Sequence, residues 1–271
     1  WQAGVDKVKN LIQSNPAQAS EEAGELLKGK NKKNVDLVTS VAHVYLNAGK
    51  ITEAQEYLAM AKKANNKDPK VSVLEGDIAL AQKNIGQACQ LYEQAIYFDP
   101  NCKEAYLKYA QAYKSASPTQ AIEKLEQLKA VDPNCLEADR ELAEVYYSGN
   151  RFGKAAEMYA KFIDTPLATE DDMLKYAFAL FLNHDFEKSL QVAQKGLQKN
   201  ARHAAFNRLV MYNNTDLKRY EDAEKAADAF FNASDNADYS CLDYRYHGAL
   251  LSALKKYDQA IEEYGKPLPA R

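Results

Sequence analysis

The chain has 271 residues, with 35 Lys and Arg against 38 Asp and Glu, for a formal net charge of −3. That balance lacks the basic footprint of a nucleic-acid binder, and no apolar run approaches the ~18 residues that a spanning helix needs. The 8 Pro and 11 Gly gather at turns, and no period-2 alternation is long enough to propose a sheet.

Residues 1–14 read as a helix with Val5, Val8, Leu11 and Ile12 on one face, ended by Ser14-Asn15-Pro16. Residues 17–28 read as a second helix carrying Ala19, Ala23, Leu26 and Leu27. This pair, with the connection to residue 34, is expected to be a degenerate N-terminal cap. The connection Lys28–Asn34 is basic and contains Gly29; it reads as a solvated loop or as a contact for an anion or a membrane surface.

From residue 35 a unit recurs. Small residues fall at Ala42, Gly76, Ala110, Ala143 and Ala177, spaced by 34, 34, 33 and 34. A second series runs Ala54, Ala88, Ala121, Ala155, Ser189, Ala223 and Ala260, spaced by 34, 33, 34, 34, 34 and 37. Asp-Pro-Asn-Cys recurs at 99–102 and 132–135. A fixed period in this range marks a stacked helical repeat. Each unit is a helical hairpin that cannot bury its apolar faces alone, so neighbours must supply the cover. The small residues mark where helix backbones cross closely; a large side chain there would overpack the contact at about 1–3 kcal/mol. Seven repeats are expected, at about 35–68, 69–102, 103–135, 136–169, 170–203, 204–240 and 241–271. The 37-residue step predicts a longer polar loop around 232–240. The end, Glu262 to Arg271, stops partway through a second helix without a polar cap. The expectation is that the natural protein continues past Arg271, the alternative being a cap supplied by a partner or another copy.

The pattern resembles the tetratricopeptide repeat family. Val38, Val41-Ala42, Tyr45, Gly49, Ala54, Leu58 and Ala61 match one repeat; Tyr106, Tyr109-Ala110, Tyr113, Ala121, Leu125 and Pro133 match another; Gly248, Tyr257, Ala260 and Tyr264 match the last. The resemblance covers about 35–266 and implies an all-α, right-handed superhelical solenoid of antiparallel helix pairs. Asp139, where a large apolar residue is usual, Leu180 in place of Tyr, and the loose fit of Phe206–Thr215 depart from it.

No chemistry stands out. His43, His184, His203 and His247 never share a helix at i, i+3 or i+4, so no helical metal pair exists, and no phosphate loop, nucleophile elbow or paired-cysteine motif appears. Neither a catalytic centre, a cofactor nor a metal is expected. Cys102 and Cys135 occupy equivalent sites in consecutive repeats, about 10 Å apart by helix spacing. A disulfide needs less than ~7 Å, so free thiols are expected. That suits a reducing compartment without excluding a periplasm. The chain begins at Trp1 rather than Met, which fits a removed signal as well as a segment boundary, so cytoplasmic and exported locations weigh equally.

By the resemblance, first helices line a concave groove that binds an extended peptide or a partner helix. Positions where some relatives clamp a chaperone's terminal carboxylates hold Thr39 and His43, Val73 and Asp77, Leu107 and Gln111 here, so that ligand class is disfavoured. The groove candidates are Lys108, Gln111, Arg140, Tyr147, Leu174, Phe178, Phe181, Arg208 and Tyr212. Aromatics and Arg are the usual hot spots, yet Phe178 and Phe181 equally fit packing between repeats. The functional expectation is a protein-interaction scaffold, with a structural or assembly module of a larger exported or envelope protein as the alternative.

Overall fold

The computed structural model describes residues 1–266. Among them the chain forms sixteen α-helices and one short 3-10 helix, and no helix is long and apolar enough to cross a membrane. The end of the chain after Lys266, where the sequence suggests an uncapped array, lies outside the described residues. Packing divides the chain into two compact units, Trp1–Glu141 and a second beginning at Leu142.

In the first unit α1 (Gln2–Leu11) packs on α2 (Pro16–Leu26) through Val5, Val8, Ala19 and Ala23. Pro16 stands in the first helical turn, where its missing N–H is no loss, and Asn15 caps it by accepting from the Gln18 amide. The connecting 3-10 helix η1 (Gly29–Lys33) leads into three helix pairs. These are α3 (Val35–Asn47) with α4 (Ile51–Asn65), α5 (Pro69–Ala81) with α6 (Ile85–Phe98), and α7 (Lys103–Tyr113) with α8 (Pro118–Val131). The ninth helix, α9 (Leu136–Ser148), contains the division between units.

The second unit continues with α10 (Phe152–Phe162) and three further pairs. These are α11 (Glu170–Leu182) with α12 (Phe186–Lys199), α13 (Ala204–Asp216) with α14 (Tyr220–Asn232), and α15 (Cys241–Ala253) with α16 (Tyr257–Tyr264). Thr169 and Ser240 open α11 and α15 with capping boxes closed by Asp172 and Asp243.

Both small-residue series are buried at the helix crossings. Ala42, Ala143 and Ala177 are fully covered, as are Ala54, Ala88, Ala121, Ala155, Ser189 and Ala223. Gly76 shows why the position must stay small. A Cβ built there would lie 2.6 Å from the Tyr92 ring. The same turn in most repeats carries one residue at positive φ: Gly49, Lys83, Asn150, His184, Lys218 and Lys255. It is the left-handed residue that ends a helix and reverses the chain. The third repeat turns differently, because Pro118 begins α8 directly after Ser117.

Oppositely charged groups one repeat apart tie neighbouring pairs together. Lys70 bonds Asp36, Lys103 bonds Glu137 and Lys124 bonds Glu93 in the first unit. Lys175 bonds Glu144, Arg219 bonds Glu187 and Lys256 bonds Glu224 in the second. Most are exposed, so each contributes at most about 1 kcal/mol. Asp139, an outlier in the sequence pattern, is 3% exposed and paired with Lys129. The loosely fitting Phe206–Thr215 stretch is also accounted for. Asn213 donates to the buried Ser189 hydroxyl, and Asn207 donates to Ser234, pinning the long polar loop.

Candidate functional site

The first unit presents a cleft of about 480 Å³ across three successive first helices. His43, Leu46 and Asn47 come from α3, Asp77, Leu80 and Ala81 from α5, and Glu104 and Lys108 from α7. These positions share a face because they follow one another at three- and four-residue spacing within each helix.

Asp77 organises the cleft. The absence of a Cβ at Gly76 lets the Tyr92 ring lie against α5, so that its hydroxyl donates to Asp77 Oδ1 at 2.6 Å. Asp77 Oδ2 receives His43 Nε2 at 2.8 Å from the preceding repeat and Lys108 Nζ at 2.5 Å from the following one. His43 Nδ1 lies 2.9 Å from the Thr39 carbonyl oxygen, which holds the ring in place. Burial alone would raise the Asp77 pKa, but hydrogen bonds from His43, Lys108 and Tyr92 outweigh it and hold the carboxyl below its usual value. The Tyr92 phenol moves the other way, far above its usual range, through burial and then through its bond to Asp77. The polar groups of the node therefore satisfy one another. What the cleft leaves open is apolar surface, with Leu80 at 37% exposure, and the exposed amide of Asn47.

Of the sequence candidates, Lys108 belongs to this cleft. Gln111 is exposed and donates to Glu141 at 3.1 Å, and Arg140 is half-buried on α9. In the second unit Tyr147 is half-buried, edge-on to Phe152 and Tyr159. Leu174 and Phe178 are half-buried against a core of Ala177, Ala193, Phe206 and Leu209. Phe181 packs against Phe186, Tyr212 and Tyr246. Tyr212 is not on the surface: it is 2% exposed, stacked on Tyr246 with ring centroids 4.1 Å apart, and its hydroxyl donates to Asp243. Arg208 is committed to the same carboxylate, 2.8 Å from Asp243 Oδ1, with a further bond to the Asp238 carbonyl. Helical phase points Tyr212 toward a groove because phase gives only a direction. It does not show that a buried acid one repeat away draws the hydroxyl inward. The available clue is the capping-box spacing, Ser240 followed three residues later by Asp243.

Sequence reasoning does not single out Leu46, Asn47, Ala81 or Glu104, although Leu46 and Asn47 follow His43 at helical spacing. Among the described residues no group of three or more His, Cys, Asp or Glu could hold a metal ion. The four cysteines are unpaired, and burial pushes the Cys89 thiol up to about 11.

Residues 42–105 and 111–168 match the model of the tetratricopeptide repeat. No curated protein matches the sequence. Among solved structures, PilF of Pseudomonas aeruginosa superposes with a TM-score of 0.58 at 15% identity, covering 82% of this chain and 99% of its own. A tetratricopeptide repeat protein of Parabacteroides merdae gives 0.53 at 12% identity, covering 98% of both chains. YrrB, a tetratricopeptide repeat protein with an unusual peptide-binding site, gives 0.50 at 13% identity over 68% of this chain and 95% of its own. At these identities the likeness is one of fold. The two matched segments are tetratricopeptide repeats, and the phase of the small residues and the succession of helix pairs carry the same helical-repeat architecture through the other described repeats, an architecture that supports a role as a protein-interaction scaffold.

Proposed function

We propose that the chain binds an extended segment of a partner protein across the first-helix face of its first unit. The observation that carries this reading is the cleft lined by α3, α5 and α7, where Leu46, Leu80 and Ala81 offer an apolar floor beside the self-satisfied Asp77 node. Such a floor suits one apolar side chain of the segment. The Asn47 amide can both donate to and accept from a peptide backbone. Because the lining sits on helices held by buried crossings, little ordering cost opposes binding. The peptide-binding site named for YrrB supports a peptide as ligand class. In the second unit, Phe178 and Phe181 are read as packing residues, since both contact the buried core.

The test is a peptide selected from a random display library against the whole chain. Leu80→Glu is expected to weaken its binding at least about tenfold, or roughly 1.4 kcal/mol, with the helical circular dichroism unchanged. Phe178→Ala with Phe181→Ala is expected to lower stability and leave affinity unchanged. A peptide indifferent to Leu80→Glu and lost with the phenylalanine pair would move recognition to the second unit.

A further inference from the structure

The first unit has a second cleft, built on η1 and a second helix rather than on first helices. Lys32 and Lys33 of η1 and Ala59, Met60, Lys63 and Ala64 of α4 enclose about 480 Å³. The four α4 residues form one stripe of that helix, and the alanines leave the space beside Met60 open. Met is unbranched and polarisable, so it adapts to the shape of an incoming apolar side chain.

The lysines stand on an anchored turn. Gly29 at φ +59 turns the chain into η1, Asn31 Nδ2 donates to the Leu26 carbonyl at 2.9 Å, and Asn34 caps α3 through the Leu37 amide. Among the described residues, Lys32, Lys33 and Lys63 have no carboxylate partner. Their neighbours do: Lys28 pairs with Glu25, and Lys62 with Glu75 on α5. Glu56, one turn before Met60, is the carboxylate on the same stripe of α4. Three uncompensated cations thus ring an apolar recess in a chain whose formal net charge is −3.

We propose that this recess docks an acidic protein segment, which seats one large apolar side chain against Met60 while its carboxylates meet Lys32, Lys33 and Lys63. The site is separate from the segment-binding cleft and does not depend on it. A protein segment fits better than an anionic membrane. Membrane-surface helices insert projecting Trp, Phe or Leu side chains. Here the one large apolar side chain, Met60, is half-buried against the core, and the other lining residues are lysines and alanines.

The experiment is fluorescence anisotropy with the whole chain and a labelled probe of Glu and Asp residues around a single Phe. Saturable binding is expected, weakening with added salt as ion pairs are screened. Lys32→Glu with Lys63→Glu should weaken it at least about tenfold. The probe with Ala for Phe should bind several-fold more weakly, and Leu80→Glu in the other cleft should change nothing. Phosphatidylserine vesicles, titrated in parallel, should compete poorly. The proposal is overturned if the wild type shows no saturable binding, or if charge reversal or loss of the Phe leaves it unchanged. It is equally overturned if Leu80→Glu abolishes the binding, or if the vesicles bind while the probe does not.

Discussion

Asp77 in the first unit and Asp243 in the second are built from the same parts. Each accepts a hydrogen bond from a tyrosine hydroxyl, Tyr92 or Tyr212, and pairs with a cation about one repeat away, Lys108 or Arg208. They differ in depth. The Asp77 side chain is 11% exposed with Lys108 at 28%, and both line an open cleft. The Asp243 side chain has no exposure, closes the capping box of α15, and holds Arg208 against the long loop at Asp238. Polar groups that satisfy one another at the edge of a cleft can shape a binding floor. The same groups sealed beneath a loop are a joint between repeats.

Removal of each acid should separate the two most widely. Asp243→Ala strands a partly covered guanidinium and a buried phenol, and should cost about 3–5 kcal/mol in urea unfolding. Asp77→Ala also strands a buried phenol, that of Tyr92, but leaves Lys108 and His43 able to reach water, and should cost less, about 1–3 kcal/mol. The reverse order would show that depth does not distinguish the two nodes. A smaller effect isolates the packing beneath Asp77. Gly76→Ala forces a Cβ into the Tyr92 ring and is expected to cost about 1–3 kcal/mol. Gly24→Ala in α2 meets nothing within 4 Å and should stabilise by up to about 1 kcal/mol. Equal signs for the two would show that Tyr92 yields freely.

Acid titration is the finest probe. The Asp77 carboxyl is held below its unfolded value, about 3.9. Its contribution is therefore fully present above that pH and is lost as pH falls through the folded pKa. The stability gap between wild type and Asp77→Asn should shrink as pH falls below about 4, through the folded pKa of Asp77. A gap that widens in acid would mean that the bonds from His43, Lys108 and Tyr92 do not hold the carboxylate.

The helical array is legible in the sequence because its period rests on residues too small to substitute, such as Ala42, Gly76 and Ala110. Each of these lies at a helix crossing that backbone approach dictates. Turn positions are only half legible. Gly49 announces a left-handed residue, while Lys83 and Lys218 adopt the same conformation without any local signal. The candidate site is less legible still. Helical phase places Lys108 on the first-helix face that carries the cleft, but a node of three repeats depends on which side chains meet across helices. Asp77 looks like one surface acid among 38 acidic residues until Tyr92 is seen beneath it. Tyr212 misleads for the mirror reason: its facing direction suggests a groove, and Asp243 takes it into the core.

Recognition on α3, α5 and α7, with the second unit's aromatic cluster serving as packing, can be read out in one experiment. Amide hydrogen exchange of the whole chain is followed with and without the library-selected peptide. Added protection is expected in 35–47, 69–81 and 103–113, with 170–182 and 204–216 unchanged. Protection confined to 170–182 and 204–216 would place recognition on the second unit instead and refute the proposed cleft.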